Sequence, residues 1–384
     1  MPRPRHEKSS VATAAMPSAV YSPVAHRLEG HPGPIYPLHV GDTWKAPFEG
    51  ARAEDLREAD LPGLHRYGPT AGLPALREAA AAKVRSQNHP CTVEQVLITA
   101  GATSGLSCAV SAIADPGEEV LILAPFWPLI RGIVTSHRAT PVEVPFFDRV
   151  SSAAEALAAV EAARTERTVA LYFSNPSNPA GRSLGPEIIE ALAGWARQHD
   201  LWLLSDEVYE DYVYAGERVS AARFAPERAL SFYSFSKAYG MSGNRVGYVA
   251  APTEIAEALH KVSVHSAYHA PTVGQWAGLR ALEGGADWIA ETAAEYAETG
   301  AAVAEILGDS PPEGSCLLFV EATPALDERG MLGFLEDCAD DGVLVAPGAS
   351  AGSAYADWIR LCYTVVEPAA AVAAARLLAA RLGR

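Results

Sequence analysis

The chain has 384 residues, 49% of them hydrophobic and 20% charged, a composition ordinary for globular proteins and enough for roughly two to three domain-sized units. Its formal net charge of −16 argues against a nucleic-acid or acidic-membrane partner, because such partners need clustered lysine and arginine. No stretch approaches the ~20 uninterrupted apolar residues that a membrane span needs.

The N-terminal segment does not resemble a secretory signal. Met1–Lys8 is basic, but the stretch Val11–Val20 that follows is interrupted by Pro17 and by polar residues. A signal peptide needs a longer apolar run. We therefore expect residues 1–15 to be a flexible tail.

The cysteines indicate a reducing compartment. They are odd in number, scattered, and never spaced as CxxC: Cys91, Cys108, Cys316, Cys338 and Cys362. Such a pattern favours free thiols over a disulfide framework or a zinc site. The sequence therefore predicts a cytoplasmic protein without a bound metal.

Apolar runs alternate with alanine-rich segments through the first two thirds of the chain. The runs predict strands at Val96–Ala100, Val120–Ala124, Pro141–Val144, Val169–Phe173, Leu201–Ser205, Ala229–Tyr233 and Val246–Ala250. Helical spacing predicts helices at Leu73–Gln87, Ser104–Ala114, Ala153–Ala163 and Ile188–Gln198. This alternation is typical of a mainly parallel sheet covered on both faces. In such sheets ligands bind at the carboxyl ends of the strands.

The pattern changes after Ala250. Helices are predicted first, at Glu254–His265, Thr272–Leu282 and Asp287–Leu307. Shorter strands follow at Cys316–Val320, Gly342–Val345 and Trp358–Tyr363, with a last helix at Ala369–Leu382. We expect a large domain over residues 46–290 and a smaller α+β domain built from residues 16–45 and 291–384.

The first two strand ends are suited to a phosphate and a flat ring. Thr99–Gly105 leads from a strand into a helix, where small residues let the backbone approach a ligand and free N–H groups attract a phosphate. On its own, such a segment is more often a simple helix cap. Trp127 can stack on a heterocycle, although a single aromatic residue is more often part of the core.

The next two strand ends carry amides and a carboxylate. Ser174–Gly181 contains two Asn-Pro pairs, which fix the backbone and leave amide side chains free to donate hydrogen bonds. Asp206 ends an apolar strand, where a carboxylate is costly to bury unless it meets a cation. It is either a helix N-cap or an anion that faces a protonated ring nitrogen.

The fifth strand end carries Lys237, with Arg245 eight residues further on. Lysine is rare beside buried strands, and hydroxyl and small residues flank this one. Its amine is suited to attack an aldehyde. Together the five strand ends supply the groups that pyridoxal 5′-phosphate (PLP) needs: an amine, an acid for the ring nitrogen, donors for the phenolate oxygen, a stacking ring and a phosphate site.

From about Tyr36 to the C-terminal helix, the sequence resembles the fold-type I, class I/II PLP-dependent aminotransferases. The matching motifs occur in the family's order: Tyr67–Arg77, Asn178–Gly181 (with alanine where threonine is usual), Asp206–Tyr209, Ser234–Lys237 with Arg245, and Trp358–Leu361. The resemblance implies an α/β protein of the PLP-dependent transferase fold type I. Its large domain would hold a mainly parallel seven-stranded sheet between helices, beside a smaller α+β domain.

The resemblance also implies roles around the cofactor ring. Lys237 would form a Schiff base with PLP and move a proton, and Asp206 would keep the pyridine nitrogen protonated. Tyr209 and Asn178 would hydrogen-bond to the phenolate oxygen. Trp127 would stack on the ring.

Phosphate binding is implied for Ser234, Arg245 and the backbone of Gly101, Ala102 and Thr103. Tyr67 would reach the same phosphate from the second subunit of a homodimer. Its alternative role is to pack beside a turn. The sequence thus predicts a shared site in a dimer.

Substrate binding is implied mainly for Arg360, which would pair with the α-carboxylate of an amino acid or 2-oxo acid. A surface salt bridge is the alternative, but the apolar residues on either side of Arg360 argue against it. Gly41 and Asn178 would line the pocket, with Trp44, Tyr268 and His269 as candidates for the side-chain end or as packing residues. Thr103 stands where some aspartate-preferring members carry lysine, which disfavours strict dicarboxylate specificity.

The predicted activity is transfer of the α-amino group of an L-amino acid to a 2-oxo acid, in a ping-pong reaction through pyridoxamine phosphate. A lyase or cyclase of the same fold would use the same cofactor residues and is the main alternative. A non-catalytic sensor domain fits less well, because the short stretch before Tyr36 has no room for a DNA-binding module.

Overall fold

The fold was analysed in a computed structural model that describes residues 9–16, 22–61, 63–87 and 89–384. Residues 1–8 of the predicted tail lie outside this description, whereas Val11–Ala15 forms the short helix α1. The other helices are α2 Pro74–Arg85, α3 Gly101–Ile113, α4 Leu129–Ser136, α5 Ala153–Ala163, α6 Pro186–Gln198, α7 Thr253–Ser266, α8 Thr272–Gly284, α9 Ala286–Ile306, α10 Gly330–Asp340 and α11 Pro368–Leu382. No helix in these ranges is both long and apolar enough to cross a membrane.

A seven-stranded sheet forms the centre of the molecule. Its strands are β1 Val96–Thr99, β2 Glu119–Ala124, β3 Thr140–Pro145, β4 Thr168–Ser174, β5 Trp202–Asp206, β6 Ala229–Ser234 and β7 Gly247–Ala250. They lie in the order β1-β7-β6-β5-β4-β2-β3, and only β7 runs antiparallel to its neighbours. All seven predicted strands are present, which confirms the predicted fold class.

Two apolar cores cover the faces of this sheet. Leu204 of β5 belongs to the core on the side of α3 and α4, while its neighbour Leu203 belongs to the core on the side of α5 and α6. Both faces are therefore buried, which explains why the strands are apolar runs without strict alternation. Asp206 follows Leu204 by two residues, so its side chain points to the α3 side.

A smaller antiparallel sheet has the order β8-β10-β9, with β8 Leu317–Glu321, β9 Ala346–Pro347 and β10 Trp358–Cys362. The predicted strand at Gly342–Val345 is wrong, because pairing with β10 falls at Ala346–Pro347 instead. Val343 makes only an isolated bridge to Tyr36. Val343, Leu344 and Val345 are buried in the core, so their apolar character reflects packing and not strand pairing.

The segment around Tyr36–Trp44 joins the C-terminal part of the chain. The N–H of Tyr36 donates to the carbonyl of Gly342 (2.8 Å), and the N–H of Trp44 donates to the carbonyl of Thr364 (2.9 Å). Between them, the N–H of Cys362 donates to the carbonyl of Leu38 (2.7 Å). These bonds hold Gly41 beside the end of β10. The domain boundaries at residues 45 and 290 stay predictions.

Candidate active site

A cavity of about 330 Å³ opens at the carboxyl ends of the central strands. Eleven of the residues singled out in the sequence line it: Gly41, Ala102, Thr103, Trp127, Asn178, Asp206, Tyr209, Ser234, Lys237, Arg245 and Arg360. Residues that the sequence analysis did not assign complete the wall: Val40, Leu106, Pro128, Leu129, Val208, Ser236 and Ser242. Residues from most of the chain length therefore meet at one place.

Lys237 lies just after β6, in the half-buried wall of the cavity. Its Nζ donates a hydrogen bond to the carbonyl oxygen of Gly41, which comes from the N-terminal segment. The hydroxyl of Tyr212 donates to the carbonyl of Lys237 at 3.3 Å. The hydrogen bond from Tyr212 fixes the backbone of Lys237, and the side chain of Lys237 lines the cavity.

Asp206 ends β5 and is only 3% exposed. Its Oδ2 accepts a hydrogen bond from the hydroxyl of Tyr172 at 2.7 Å, whereas its Oδ1 is buried without a partner among the described residues. Burial raises the pKa of Asp206 to about 6, although the hydrogen bond from Tyr172, the nearby backbone of Val208 and the charge of Lys237 oppose the shift. A free, buried carboxylate oxygen is suited to receive a proton donor.

Asn178 connects the carboxyl end of β4 with β10. Its Nδ2 donates to the hydroxyl of Tyr209 at 3.4 Å, and its Oδ1 accepts from Nη1 of Arg360 at 3.4 Å. Nη2 of Arg360 donates to the carbonyl of His39 at 2.7 Å, while its Nε is buried without a partner among the described residues. Arg360 is therefore part of the cavity wall and has no carboxylate partner within the described part of the chain.

The other end of the cavity is suited to an anion. Gly101 begins α3 with a φ of +77°, and a Cβ there would lie 2.6 Å from Nη2 of Arg245. The positive φ favours glycine at this position, and the absence of a side chain leaves room for the guanidinium of Arg245. Nη1 of Arg245 donates to the carbonyl of Ser242 at 2.7 Å, and the Oγ of Ser234 accepts from the N–H of Ser236 at 3.1 Å. A guanidinium, hydroxyls and free helical N–H groups meet here.

Tyr67 and Trp44 do not line the cavity of their own chain. Tyr67 is 85% exposed, and its ring packs edge-on against Tyr268 and His269, with centroid distances of 5.0 and 5.8 Å. Trp44 is 39% exposed and lies beside the ammonium group of Lys45. The aromatic cluster around Tyr67 is a surface feature of the single chain.

Sequence reasoning missed Tyr172 and the role of residues 39–42 as carbonyl acceptors. Tyr172 lies within an apolar strand, where a tyrosine indicates no more than β propensity. Its bond to Asp206 joins residues 34 positions apart, and only the pairing of β4 with β5 brings them together. By contrast, the two Asn-Pro pairs of Ser174–Gly181 and the position of Lys237 after a buried strand indicated a site from the sequence alone.

Comparison with known proteins agrees with this geometry. The family model "Aminotransferase class I and II" matches residues 35–377. An aspartate/prephenate aminotransferase of Thermus thermophilus is 39% identical over 239 residues, which are 60% of each chain, so the alignment spans only three fifths of that relative. An arginine–pyruvate transaminase of Pseudomonas aeruginosa is 32% identical over 84% of each chain. The structure of a Thermus thermophilus aspartate aminotransferase mutant superposes with a TM-score of 0.89 at 31% identity, over 97% of this chain and 99% of that one. The chain belongs to the class I and II aminotransferases, as the sequence motifs predicted.

Proposed function

We propose that the chain transfers the α-amino group of an L-amino acid to a 2-oxo acid, with PLP held covalently by Lys237. The observation that carries this proposal is the meeting of Lys237, Asp206 and Arg360 in one cavity. Their amine, buried carboxyl group and guanidinium would bind the aldehyde of PLP, its ring nitrogen and the substrate carboxylate, in that order. The names of the relatives support transamination over the lyase or cyclase alternative.

The residues of the cavity fit PLP. Asp206 Oδ1, buried and without a partner, would accept the proton of a pyridinium nitrogen. The space beside Gly101, where a side chain would meet Arg245, suits a phosphate at the start of α3. When bound, PLP supplies an aldehyde that takes up the amino group and a ring that withdraws electrons from the α-carbon of the substrate.

Each side chain then has a task of its own. Lys237 would move a proton at the α-carbon, and Asp206 would bind the ring nitrogen. Tyr209 and Asn178 would donate hydrogen bonds to the phenolate oxygen, and Trp127 would stack on the ring.

The two anionic groups would be bound at opposite ends of the cavity. Ser234, Arg245 and the first N–H groups of α3 (Gly101, Ala102 and Thr103) would bind the phosphate. Arg360, held by Asn178 and His39, would pair with the α-carboxylate beside Gly41.

We also propose a homodimer in which Tyr67 of one subunit contributes to the phosphate site of the other. Tyr67 is 85% exposed and outside its own cavity, which supports a role in a neighbouring chain. The exposed rings of Tyr67 and Tyr268, which pack against the half-buried His269, are also the kind of surface that interfaces bury. Mixing inactive Tyr67→Phe and Lys237→Ala chains should restore part of the activity in hybrid dimers, and a complete absence of rescue would contradict the shared site.

The substrate that fits best has a neutral, bulky side chain. In the described part of the chain, the cations that line the cavity are Lys237, Arg245 and Arg360, and each already has a task. The remaining wall includes apolar groups such as Val40 and Leu129. Relatives as different as an aspartate/prephenate and an arginine–pyruvate enzyme leave the choice of amino acid open.

Covalent labelling tests the proposal most directly. Sodium borohydride should attach a pyridoxyl group to Lys237, detected by peptide mass spectrometry, and the purified protein should be yellow. Donor amino acids screened against pyruvate, 2-oxoglutarate and oxaloacetate should yield a new amino acid, without the ammonia that a lyase releases. A labelled peptide that does not contain Lys237 would refute the assignment.

A further inference from the structure

The two oxygens of the Asp206 carboxylate have different surroundings. Oδ2 accepts a hydrogen bond from the hydroxyl of Tyr172 at 2.7 Å. Oδ1 is equally buried but has no partner among the described residues. The carboxylate of this cavity-lining residue is therefore held by one oxygen, while the other has no partner in the described part of the chain.

Tyr172 reaches Asp206 from the neighbouring strand. In the parallel pair β4–β5, Ser174 is the partner of Asp206 and Tyr172 is the partner of Leu204. Side chains two residues apart share a face of the sheet, so Tyr172 and Asp206 both point to the α3 side. The long side chain of Tyr172 spans the distance between these diagonal positions.

Packing explains the ring of Tyr172 but not its hydroxyl. Tyr172 is fully buried in a core whose other members are almost all apolar, including Ala124, Leu204 and Phe232. A phenylalanine would fill the same space without a polar group to satisfy. Asp206 is the hydrogen-bond partner of this hydroxyl in the described structure, so the hydroxyl acts on Asp206.

Tyr172 is also a fixed donor. Burial and the nearby Asp206 raise the pKa of Tyr172 well above its usual value, so the phenol keeps its proton throughout the physiological range. Its hydrogen bond stabilises the ionised form of Asp206 against the cost of burial. The same bond prevents the carboxylate from rotating and exchanging its two oxygens.

We propose that Tyr172 is a positioning residue whose hydroxyl holds Oδ2 of Asp206, so that Oδ1 stays ionised and directed at the ring nitrogen of the cofactor. This proposal rests on the proposed function, since it assumes that PLP occupies the cavity. Tyr172 itself does not line the cavity, so its effect on the cofactor would pass through Asp206.

The test is PLP binding to the full chain after removal of the cofactor, titrated at several pH values. Tyr172→Phe should weaken PLP binding about tenfold, because a hydrogen bond to a charged group is lost. The pKa of Asp206 should rise without this bond, so affinity should begin to fall at a higher pH as the solution is acidified, by roughly one unit. The matched control is Tyr248→Phe, since Tyr248 is also buried in the sheet but its hydroxyl has no partner among the described residues.

A second variant separates positioning from a general structural effect. If Tyr172 acts through Asp206, adding Tyr172→Phe to Asp206→Ala should cause no further loss of PLP affinity. Equal losses in both backgrounds, or wild-type affinity and pH dependence in Tyr172→Phe, would overturn the proposal. A native chain that does not bind PLP, or an Asp206→Ala variant that binds it normally, would instead refute the proposed function on which this inference depends.

Discussion

Two largely buried polar regions, the cavity around Asp206 at the end of β5 and a cluster that includes the nearby Glu210 and Asp211, differ in how their charges are paired. In the Lys83 cluster, defined as Lys83, Glu210, Asp211 and Arg218, each charge meets an opposite one: Nζ of Lys83 lies 3.0 Å from Glu210 and 2.6 Å from Asp211. Arg218 pairs with the same two carboxylates. In the cavity, Asp206 keeps a buried oxygen without a partner among the described residues.

The difference in pairing distinguishes charges that stabilise the fold from charges that are suited to bind a ligand. Burial alone would lower the pKa of Lys83, but Glu210 and Asp211 more than offset this and raise it. A buried charge that is paired in the folded chain belongs to the structure. A buried carboxylate oxygen without a partner is costly unless a bound molecule completes it, and Asp206 has such an oxygen and lines the cavity, so it indicates a binding site.

The largest effect on turnover is expected for the substitution Lys237→Ala in the cavity. Turnover should fall at least about 1,000-fold, because no other group in the cavity can both hold the cofactor and move the proton. PLP should still bind through the phosphate contacts. Steady-state rates and PLP titration measure the two effects separately.

The matched control for this substitution is Lys261→Ala, on the exposed face of α7. It should leave both turnover and PLP binding unchanged. Native turnover in Lys237→Ala would mean that the amine of Lys237 has no part in the reaction.

In the Lys83 cluster, the substitution Lys83→Met should lower the stability of the fold. It leaves the largely buried carboxylates of Glu210 and Asp211 with Arg218 as their one cation among the described residues, and breaking a buried pair in this way costs about 3–5 kcal/mol of unfolding free energy. Urea unfolding of the chain without cofactor measures this loss, with Lys261→Met as the control. An unchanged unfolding midpoint would show that the ion pairs of Lys83 contribute as little to stability as exposed surface pairs do.

The sequence predicted the residues of the cavity better than those of the Lys83 cluster. Asp206, Lys237 and Asn178 follow predicted strands, so their meeting at one edge of the sheet follows from the fold class. Lys83 has no such signal, because a lysine near the end of a helix is normally exposed, and only the loop after β5 packing against α2 buries it. Family membership and the seven-stranded sheet are confirmed, while the roles of the individual site residues stay predictions.

The errors in the predicted elements come from short helices and from burial by distant segments. Helices α1, α4 and α10 were not predicted, and α1 and α4 have only five and eight residues, too few to show a clear helical period. The strand expected at Gly342–Val345 was wrong because its apolar residues pack rather than pair. The contact of Arg360 with Asn178 joins residues 182 positions apart, which no local pattern encodes.

A smaller effect is expected for Arg360→Ala. Loss of the guanidinium should raise KM for amino acids about 100-fold, because a bidentate charged contact is removed, with a milder effect on amines that lack a carboxylate. Arg360→Lys should lie in between, since lysine keeps the charge but not the fork. Equal effects on amino acids and simple amines would show that Arg360 does not bind the carboxylate.

The smallest expected effect concerns Glu207, which lies next to Asp206 but on the opposite face of the sheet. Its carboxyl group is buried among hydroxyls, accepting from Ser205 at 3.0 Å and from Ser220 at 2.6 Å, with no ion-pair partner among the described residues. Burial raises the pKa of Glu207 to about 7. The folded chain therefore binds a proton that the unfolded chain has lost, and this contribution to stability decreases as the pH rises through 7.

Raising the pH from 5 to 7 should thus lower the unfolding free energy by about 2 kcal/mol through Glu207 alone. Glu207→Gln should remove this part of the pH dependence, whereas the exposed Glu190→Gln on α6 should not. Urea unfolding at the two pH values measures the difference. If Glu207→Gln keeps the full pH dependence, Glu207 is ionised in the folded chain, and a buried carboxylate can then lack an ion-pair partner without marking a binding site.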